Sequence, residues 1–212
     1  MELSKLLKLV AAGFIGLLVI GVLTSKGGEE KEEQTAVTQP TEVAKVLDVN
    51  REKKKQIKES RKNGEIGITI EDFEEGWFNF IDNSNSLDQY HLPVGHIKPS
   101  EEIGMSNKMY LYSASVGVNV KFDNSTLGIK EIAVFGMPTD QQSIVDFTLI
   151  HGIAISVADP TLKPDERVDI LQGVVHDLTG EDRTDTVEKN GLSYTLVTSS
   201  EVGNWLLIEV AK

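Results

Sequence analysis

Residues 184–198, TDTVEKNGLSYTLVT, contain the strongest short turn signal in the chain, the pair Asn190-Gly191. Asn-Gly between two segments of alternating apolar and polar residues favours a two-residue β-hairpin, because both turn positions need a positive φ angle. A third such segment follows the hairpin, so we predict an antiparallel meander at the C-terminus. Its three predicted strands are Thr184–Glu188, Leu192–Thr198 and Trp205–Val210.

A second meander is predicted upstream of the first. Lys108–Phe122 alternates between apolar and polar residues, and Ser113–Gly117 bends or breaks this run into two strands. The turn Asp123–Gly128 then leads to a returning strand at Ile129–Phe135. This part of the chain is therefore predicted to hold about three strands.

The segment between the two meanders, Thr139–Ala158, is apolar on nearly every side. Its length and a capping box formed by Thr139 and Gln142 favour a buried helix. Its many β-branched residues also fit a strand, and the sequence leaves that alternative open. A further helix is predicted from Pro164, at a first-turn position, through Leu178.

An amphipathic helix is predicted ahead of the upstream meander. Thr69 suits the N-cap position and is followed in the first turn by two acidic residues. The resulting order, α-βββ-αα-βββ, segregates helices from strands and predicts one α+β domain with an antiparallel sheet over residues 65–212. The apolar face of this first helix consists of Ile70, Phe73, Trp77, Phe80 and Ile81.

The polar segment Asp82–Ser106 has no periodicity and contains two prolines and two histidines. Segments of this length without regular structure are uncommon in a compact domain and are often functional. We therefore expect this segment to be a working loop.

The N-terminus contains an apolar run, Leu9–Ser25, of 17 residues without a charge. As a helix it spans about 26 Å, and two preceding leucines extend it toward the roughly 30 Å of a bilayer core. No alanine-type cleavage site follows, so an uncleaved transmembrane anchor is favoured over a cleaved signal peptide. Lys5 and Lys8 precede the run, which predicts a cytoplasmic end at residues 1–8 and a bacterial single-pass membrane protein with its C-terminal domain outside the cytoplasm.

Residues 26–64 are predicted to form a charged, partly helical stalk between the anchor and the domain. Gly27–Gln39 contains almost nothing apolar and cannot support a packed structure. Thr41–Arg61 consists of good helix formers and ends at Asn63-Gly64. The basic cluster of this helix has three interpretations: a solvated surface, a contact with the acidic domain, or a contact with anionic lipid or envelope polymers.

Charge is unevenly distributed along the chain. From Gly64 to Lys212 there are 9 basic and 24 acidic residues, a net charge of −15, whereas residues 1–63 carry a net charge of +3. A negative field repels nucleic acid, so no DNA or RNA binding is expected. The absence of cysteine excludes thiol catalysis and thiolate zinc sites.

No sequence motif indicates a particular reaction. The chain lacks a nucleophile elbow, a phosphate-binding loop, a dinucleotide-binding fingerprint and a zinc-protease motif. His91 and His96 match no usual ligand spacing, so neither a metal nor a cofactor is predicted. His151 is expected to be a hydrogen-bonded core histidine. An envelope hydrolase that uses histidine and carboxylates remains the alternative function, and a cation sensor built on Asp82–Asp88 is a weaker third hypothesis.

These observations favour a membrane-tethered extracytoplasmic interaction module over an enzyme. Its expected partner is an envelope protein or an incoming protein, which it would engage as an assembly component or as an immunity or exclusion-type inhibitor. Aromatic residues and the polar segment are the expected places of contact. The candidate contact residues are Trp77, Phe78, Tyr90, His91, Leu92, Val94, His96 and Trp205.

Overall fold

The computed structural model describes residues 52–84, 87–113, 116–174 and 182–212. The predicted cytoplasmic end, the predicted anchor Leu9–Ser25 and most of the predicted stalk lie outside these residues. Within the described ranges, no helix combines the length and the apolar character needed to cross a membrane.

The described part of the chain has the predicted α+β architecture, with four helices and seven strands. The predicted extension of the last helix through Leu178 lies outside the described residues. The helices are α1 (52–62), α2 (Ile70–Asp82), α3 (Gln141–Ala158) and α4 (Pro164–Val174). The strands are β1 (His96–Pro99), β2 (Met105–Leu111), β3 (Val116–Asp123), β4 (Ile129–Gly136), β5 (Arg183–Lys189), β6 (Leu192–Ser199) and β7 (Gly203–Val210).

All seven strands belong to one antiparallel sheet with the order β1-β2-β3-β4-β7-β6-β5. The first four and the last three strands each form a meander, and the two meanders join where β4 pairs with β7, as at Val134 opposite Leu206. The β5–β6 hairpin turns at Asn190 and Gly191, whose φ angles of 53° and 78° fit the predicted two-residue turn. The strand order confirms both predicted meanders and adds β1 to the first.

Helix α2 forms where the sequence predicts it. Thr69 is the N-cap: its hydroxyl accepts a hydrogen bond from the Asp72 amide, and the Asp72 carboxylate accepts one from the Thr69 amide at 2.9 Å. Phe73, Trp77 and Ile81 are fully buried, and the rings of the first two lie 5.5 Å apart. The aromatic stripe of α2 therefore packs in the core.

Helix α3 confirms the helical alternative for the apolar segment, and 12 of its 18 residues are buried. The predicted cap is wrong by one residue, because Asp140 rather than Thr139 is the N-cap. The Asp140 carboxylate accepts a hydrogen bond from the Ser143 amide at 2.9 Å. A carboxylate at this position satisfies a free amide and also interacts favourably with the positive end of the helix dipole.

His151 lies within α3 with no exposed surface, and its ring is 4.1 Å from that of Phe147. The expected hydrogen bond is not observed, since neither ring nitrogen has a partner among the described residues. Burial lowers the pKa of His151 from 6.5 to about 3, because an imidazolium ion would lose its hydration here. The core therefore holds a neutral histidine near neutral pH.

We expect His151 to make the domain sensitive to mild acid. The unfolded imidazole takes up a proton below pH 6.5, whereas the folded one stays neutral down to about pH 3. The contribution of His151 to the free energy of unfolding is therefore fully present above pH 6.5. It decreases as the pH is lowered and is about 2 kcal/mol smaller at pH 5. Urea unfolding of residues 52–212 at pH 7 and pH 5 measures this loss.

His151→Leu should remove most of the loss between these two pH values. His96→Leu, at an exposed position, is the matched control and should keep it. The prediction is wrong if His151→Leu and the wild-type domain depend on pH to the same extent.

The segment Asp82–Ser106 contains more regular structure than the predicted loop. A one-turn 3₁₀ helix at Asp88–Tyr90 is followed by β1, in which His96 pairs with Met109 of β2. No side chain of β1 is buried, so the sequence shows no apolar alternation there. Backbone pairing with β2, rather than side-chain burial, holds this strand.

The end of α1 packs against the domain, whereas the sequence places the start of the domain at residue 65. Ile57 is buried, and the Arg61 guanidinium lies 3.2 Å from the fully buried carboxylate of Asp159. Arg61 also donates a hydrogen bond to the backbone carbonyl of Asn190. One residue of the basic cluster therefore makes a contact of the second kind considered above, with the acidic domain, and it connects α1 to the end of α3 and to the β5–β6 turn.

Arg61→Met should strongly destabilise the domain. The Asp159 carboxylate accepts hydrogen bonds from the amide and the hydroxyl of Thr161, at 3.0 and 2.6 Å, which keep it buried when the guanidinium is removed. A buried carboxylate without its counter-ion costs about 3 kcal/mol or more. Urea unfolding of residues 52–212 measures the change.

Lys62→Met is the matched control for Arg61→Met. Lys62 pairs with Glu59 on the surface, where both side chains are largely exposed. Such pairs contribute little to stability, so this variant should unfold nearly as the wild type does. Similar losses in the two variants would mean that the Arg61–Asp159 pair has no special role.

Candidate interaction surface

Four of the predicted contact residues lie together at one edge of the sheet. Phe78 of α2 meets His91, Leu92 and Val94 around a pocket of about 240 Å³, and Ile97 follows on β1. We call these five residues the edge patch. The exposed fractions of Phe78, Val94 and Ile97 are 55%, 82% and 61%. Exposed apolar side chains grouped in this way are typical of interaction sites.

Trp77 and Tyr90 are predicted contact residues whose side chains are buried, so they do not present a surface to a partner. The Trp77 indole and the Tyr112 hydroxyl each donate a hydrogen bond to the Tyr90 carbonyl at 2.9 Å. The Tyr90 hydroxyl donates to Asp146 of α3 at 2.6 Å, and burial together with this carboxylate raises the pKa of Tyr90 to about 12. These two aromatic residues fix the backbone that carries the edge patch.

Gly95 allows the same segment to approach β2 closely. A Cβ atom at residue 95 would lie 2.7 Å from the Lys108 side chain and 2.7 Å from the Tyr110 ring. Tyr110 is fixed, because it is buried and its hydroxyl donates to Glu74 at 2.8 Å. The Lys108 ammonium lies 2.6 Å from the same carboxylate. Only glycine leaves room for the chain to enter β1 along this path.

Charges of both signs lie near the edge patch, since Lys98 of β1 and Lys108 of β2 lie beside it. Helix α2, with the sequence IEDFEEGWFNFID, carries five carboxylates and no basic residue. Glu74 at the pocket rim pairs with Lys108, and Asp82 lies near His91. The carboxylates nearest to this surface thus lie beside basic groups, and its distinguishing feature is the exposed apolar side chains.

The described histidines lie in separate environments. His91 Nε2 is 3.6 Å from the Asp82 carboxylate, His96 is exposed on β1, and His151 is in the core. Among the described residues, no three potential metal ligands of the His, Cys, Asp or Glu type lie together. The contact between His91 and Asp82 fits the hydrolase alternative. The residues that line the adjoining pocket include no hydroxyl or thiol, so the nucleophile for hydrolysis there would be water or the Glu74 carboxylate.

Trp205 belongs to a different surface from the other candidates. Its ring stacks on that of Phe135, with the ring centres 5.1 Å apart. The two rings lie on one face of the sheet, whereas the residues next to them in β4 and β7 point to the other face and are buried. Leu111, Met137 and Val202 lie nearby with exposed fractions of 47%, 49% and 62%. We call these five residues the face patch.

Sequence reasoning did not identify Ile97 or four of the five residues in the face patch. A signal for Ile97 exists, since Gly95 and Pro99 bound a short run that suits an edge strand. The face patch has no comparable local signal, because Phe135 and Trp205 meet only through the pairing of β4 with β7. Contacts between distant segments of the chain cannot be deduced from local spacing.

A larger cavity, with a volume of about 1050 Å³, lies on the other flank of α2, between α1 and α2. Its walls include the carboxylates of Asp72 and Glu75 and the amides of Gln56 and Asn79. None of the predicted contact residues lines this groove. The apolar residues Ile57, Ile68 and Val157 in this groove are buried, whereas those of the edge patch are exposed, so we place the interaction site at the edge patch.

Comparison with known proteins does not identify a family for this chain. No family model matches it. Neither the curated proteins nor the solved structures provide a match. The proposals below therefore rest on the sequence and on the geometry of the described residues.

Gly95→Ala should disturb the edge patch without unfolding the domain. The end of the Lys108 side chain can move aside, but the buried Tyr110 ring cannot, so the backbone before β1 must shift. Overpacking of this kind costs about 1–3 kcal/mol. Hydrogen exchange measured by mass spectrometry should become faster in β1 and β2 and stay unchanged in β6 and β7.

Val94→Ala is the control for Gly95→Ala, because it changes the exposed neighbour without adding atoms near β2. Its exchange pattern should match that of the wild type. Unchanged exchange of β1 in Gly95→Ala would contradict the close approach.

Proposed function

We propose that this protein is a membrane-tethered interaction module of the bacterial cell envelope, with its domain outside the cytoplasm. The edge patch carries the proposal, because Phe78, Val94 and Ile97 expose apolar surface next to an edge of the sheet. Its partner is an envelope protein or an incoming protein. The module acts either as an assembly component or as an immunity or exclusion-type inhibitor of that partner.

Two features outside the edge patch support this proposal. The apolar run Leu9–Ser25, preceded by Lys5 and Lys8, has the length and flanks of a membrane anchor. The net charge of −15 over residues 64–212 disfavours nucleic acid and favours a partner with basic groups. Together they support a protein partner near the membrane.

The proposal is tested by affinity recovery from crosslinked cells, with the full-length protein as bait. The variant combining His91→Ser, Leu92→Ser and Val94→Ser removes apolar contact surface and leaves the buried supports Trp77 and Tyr90 in place. Recovery of a reproducible envelope protein should fall at least tenfold, which corresponds to about 1.4 kcal/mol. The thermal unfolding midpoint of the domain should change little.

The matched control combines Leu111→Ser, Met137→Ser and Val202→Ser. It also removes three exposed apolar side chains, but from the face patch. Recovery should remain at the wild-type level. A loss in this control alone would place the contact on the face patch, and equal recovery in both variants would argue against the edge patch.

An envelope hydrolase is the second candidate function, favoured by the contact between His91 and Asp82. The imidazole would act as a general base toward water in the adjoining pocket, with the carboxylate orienting the ring. The separation of 3.6 Å between His91 Nε2 and the carboxylate is longer than a hydrogen bond. The geometry of this pair is therefore looser than that of a general base and its orienting carboxylate, so we rank the hydrolase second.

A further inference from the structure

We propose that exposed lysines of α1 bind the anionic lipid headgroups of the membrane in which the chain is anchored. The lysines concerned are Lys54, Lys55, Lys58 and Lys62, which we call the lysine row. This inference rests on the proposed function, because it requires the membrane anchor. It goes beyond that function by giving the domain a second contact surface, for lipid instead of protein.

The lysine row occupies one side of α1. Lys54, Lys58 and Lys62 follow one another at intervals of four residues, and Lys55 precedes Lys58 by three. Residues three and four apart are neighbours on a helix, so these four form a single strip about 12 Å long. All four residues are exposed. They can therefore meet a flat charged surface together.

The other sides of α1 face the domain and the groove beside α2. Ile57 is buried, and Arg61 reaches the carboxylate of Asp159, so this side of the helix is turned inward. None of the lysine row lines the groove. The row is thus left on the solvent side of the helix. The residues of α1 that line the groove are Glu52, Lys53, Gln56, Ile57 and Ser60.

Most of the charge on the lysine row is unpaired. Lys62 lies 2.9 Å from Glu59. In the part of the chain that the structure describes, Lys54, Lys55 and Lys58 make no ion pair. The contact with the acidic domain therefore accounts for Arg61 but not for the row, which is free to attract an anionic surface.

The charge of the remaining domain opposes such a contact and so gives it a direction. Residues 64–212 carry a net charge of −15. An anionic bilayer repels a surface of that sign and attracts basic groups close to it. The side of the domain that carries the lysine row is therefore the side that an anionic membrane draws toward itself.

The proposed anchor explains why lipid, among anionic partners, is the one we assign. Residues 26–51 separate the anchor from α1, and they span at most about 90 Å even when fully extended. A tether of this kind raises the local concentration of the lysines at the bilayer, so a weak attraction is enough. The bilayer is always within reach, whereas an envelope polymer or the acidic domain of a second copy must first be recruited.

The contact should be electrostatic and should not involve insertion into the bilayer. The sequence of α1, EKKKQIKESRK, contains one apolar residue, Ile57, and it is buried in the domain. A helix that enters the acyl boundary needs an apolar face turned toward the lipid. The lysine ammonium groups therefore contact phosphodiester groups at headgroup level, and salt should weaken the contact.

The test uses the full-length protein in nanodiscs. Asn63→Cys, next to the end of α1, carries a donor dye as the only cysteine of the chain, and a few lipid headgroups carry an acceptor. Förster transfer should be about twofold or more higher in an equal mixture of phosphatidylcholine and phosphatidylglycerol than in phosphatidylcholine alone. About 1 M NaCl, which shortens the Debye length to about 3 Å, should remove this difference.

Glutamine variants of the labelled protein test the lysine row itself. Glutamine is a good helix former without charge, so the three unpaired lysines can be replaced with little effect on α1. Transfer in the anionic discs should then fall to the level in the neutral discs. The variant combines Lys54→Gln, Lys55→Gln and Lys58→Gln.

The matched control removes the same net charge from three exposed positions outside α1. It should keep the difference between anionic and neutral discs, because the lysine row is intact. Equal thermal unfolding midpoints show that the variants fold alike. If a variant folds poorly, the comparison of lipids and salt in the unmodified row still decides. The control combines Lys98→Gln, Lys163→Gln and Lys212→Gln.

Three results would overturn the lipid assignment. The first is equal transfer in anionic and neutral discs, and the second is an equal loss in the lysine-row variant and its control. The third is a fall to the neutral level when polyphosphate is added at constant ionic strength, which would assign the row to a soluble anionic polymer.

The same experiment separates this inference from the proposed function. If the full-length chain does not elute with the nanodiscs, the anchor is wrong, and the proposed function fails together with the inference. If it does elute with them, the lipid contact can fail alone. The proposed function then stands, provided that the serine variant of residues 91, 92 and 94 loses its partner in cells.

Discussion

The fold depends on one constraint: α3 is apolar around most of its circumference, so each side of it must be covered. The sheet covers one side, where α3 contacts β4 and β7, and the helices α2 and α4 cover others. Because β4 and β7 are the strands at which the two meanders meet, α3 lies across their junction. Neither meander alone would cover this helix, and burial of its side chains therefore favours closure of both into one sheet.

The same helix determines how the N-terminal part of the described chain attaches. Its C-cap is Asp159, whose carboxylate has no exposure to solvent. A charge in that position needs a counter-ion, and Arg61 of α1 provides it. Apolar burial thus sets the middle of the domain, and one ion pair sets the position of α1. Both charges lose hydration when they pair, so the pair holds α1 in place mainly because an unpaired Asp159 carboxylate would be costly at this buried position.

Local sequence signals predict the elements but not the contacts between distant elements. The Asn190-Gly191 turn, the Thr69 cap and the apolar character of α3 depend on neighbours within a few residues, and the structure agrees with all three. Strand β1 gives no alternating pattern because none of its side chains is buried, so the sequence predicts a loop there. The positions of Arg61 and Trp205 depend on tertiary pairing that no local spacing encodes. For the candidate surface, the structure brings Phe78, His91, Leu92 and Val94 together as exposed or partly exposed neighbours and buries Trp77 and Tyr90. The sequence alone cannot separate these two groups of contact candidates.

Arg61 of α1 and strand β1 lie at opposite edges of the sheet, so the place where the end of α1 attaches is separate from the candidate interaction surface. Arg61 contacts the β5–β6 turn, at the edge that α4 and charged side chains protect. Strand β1 is at the other edge, six strand spacings away, which corresponds to about 29 Å. The end of α1 is therefore attached at the protected edge, and the edge patch lies at the opposite edge of the sheet. A partner at β1 does not have to disrupt the ion pair between Arg61 and Asp159.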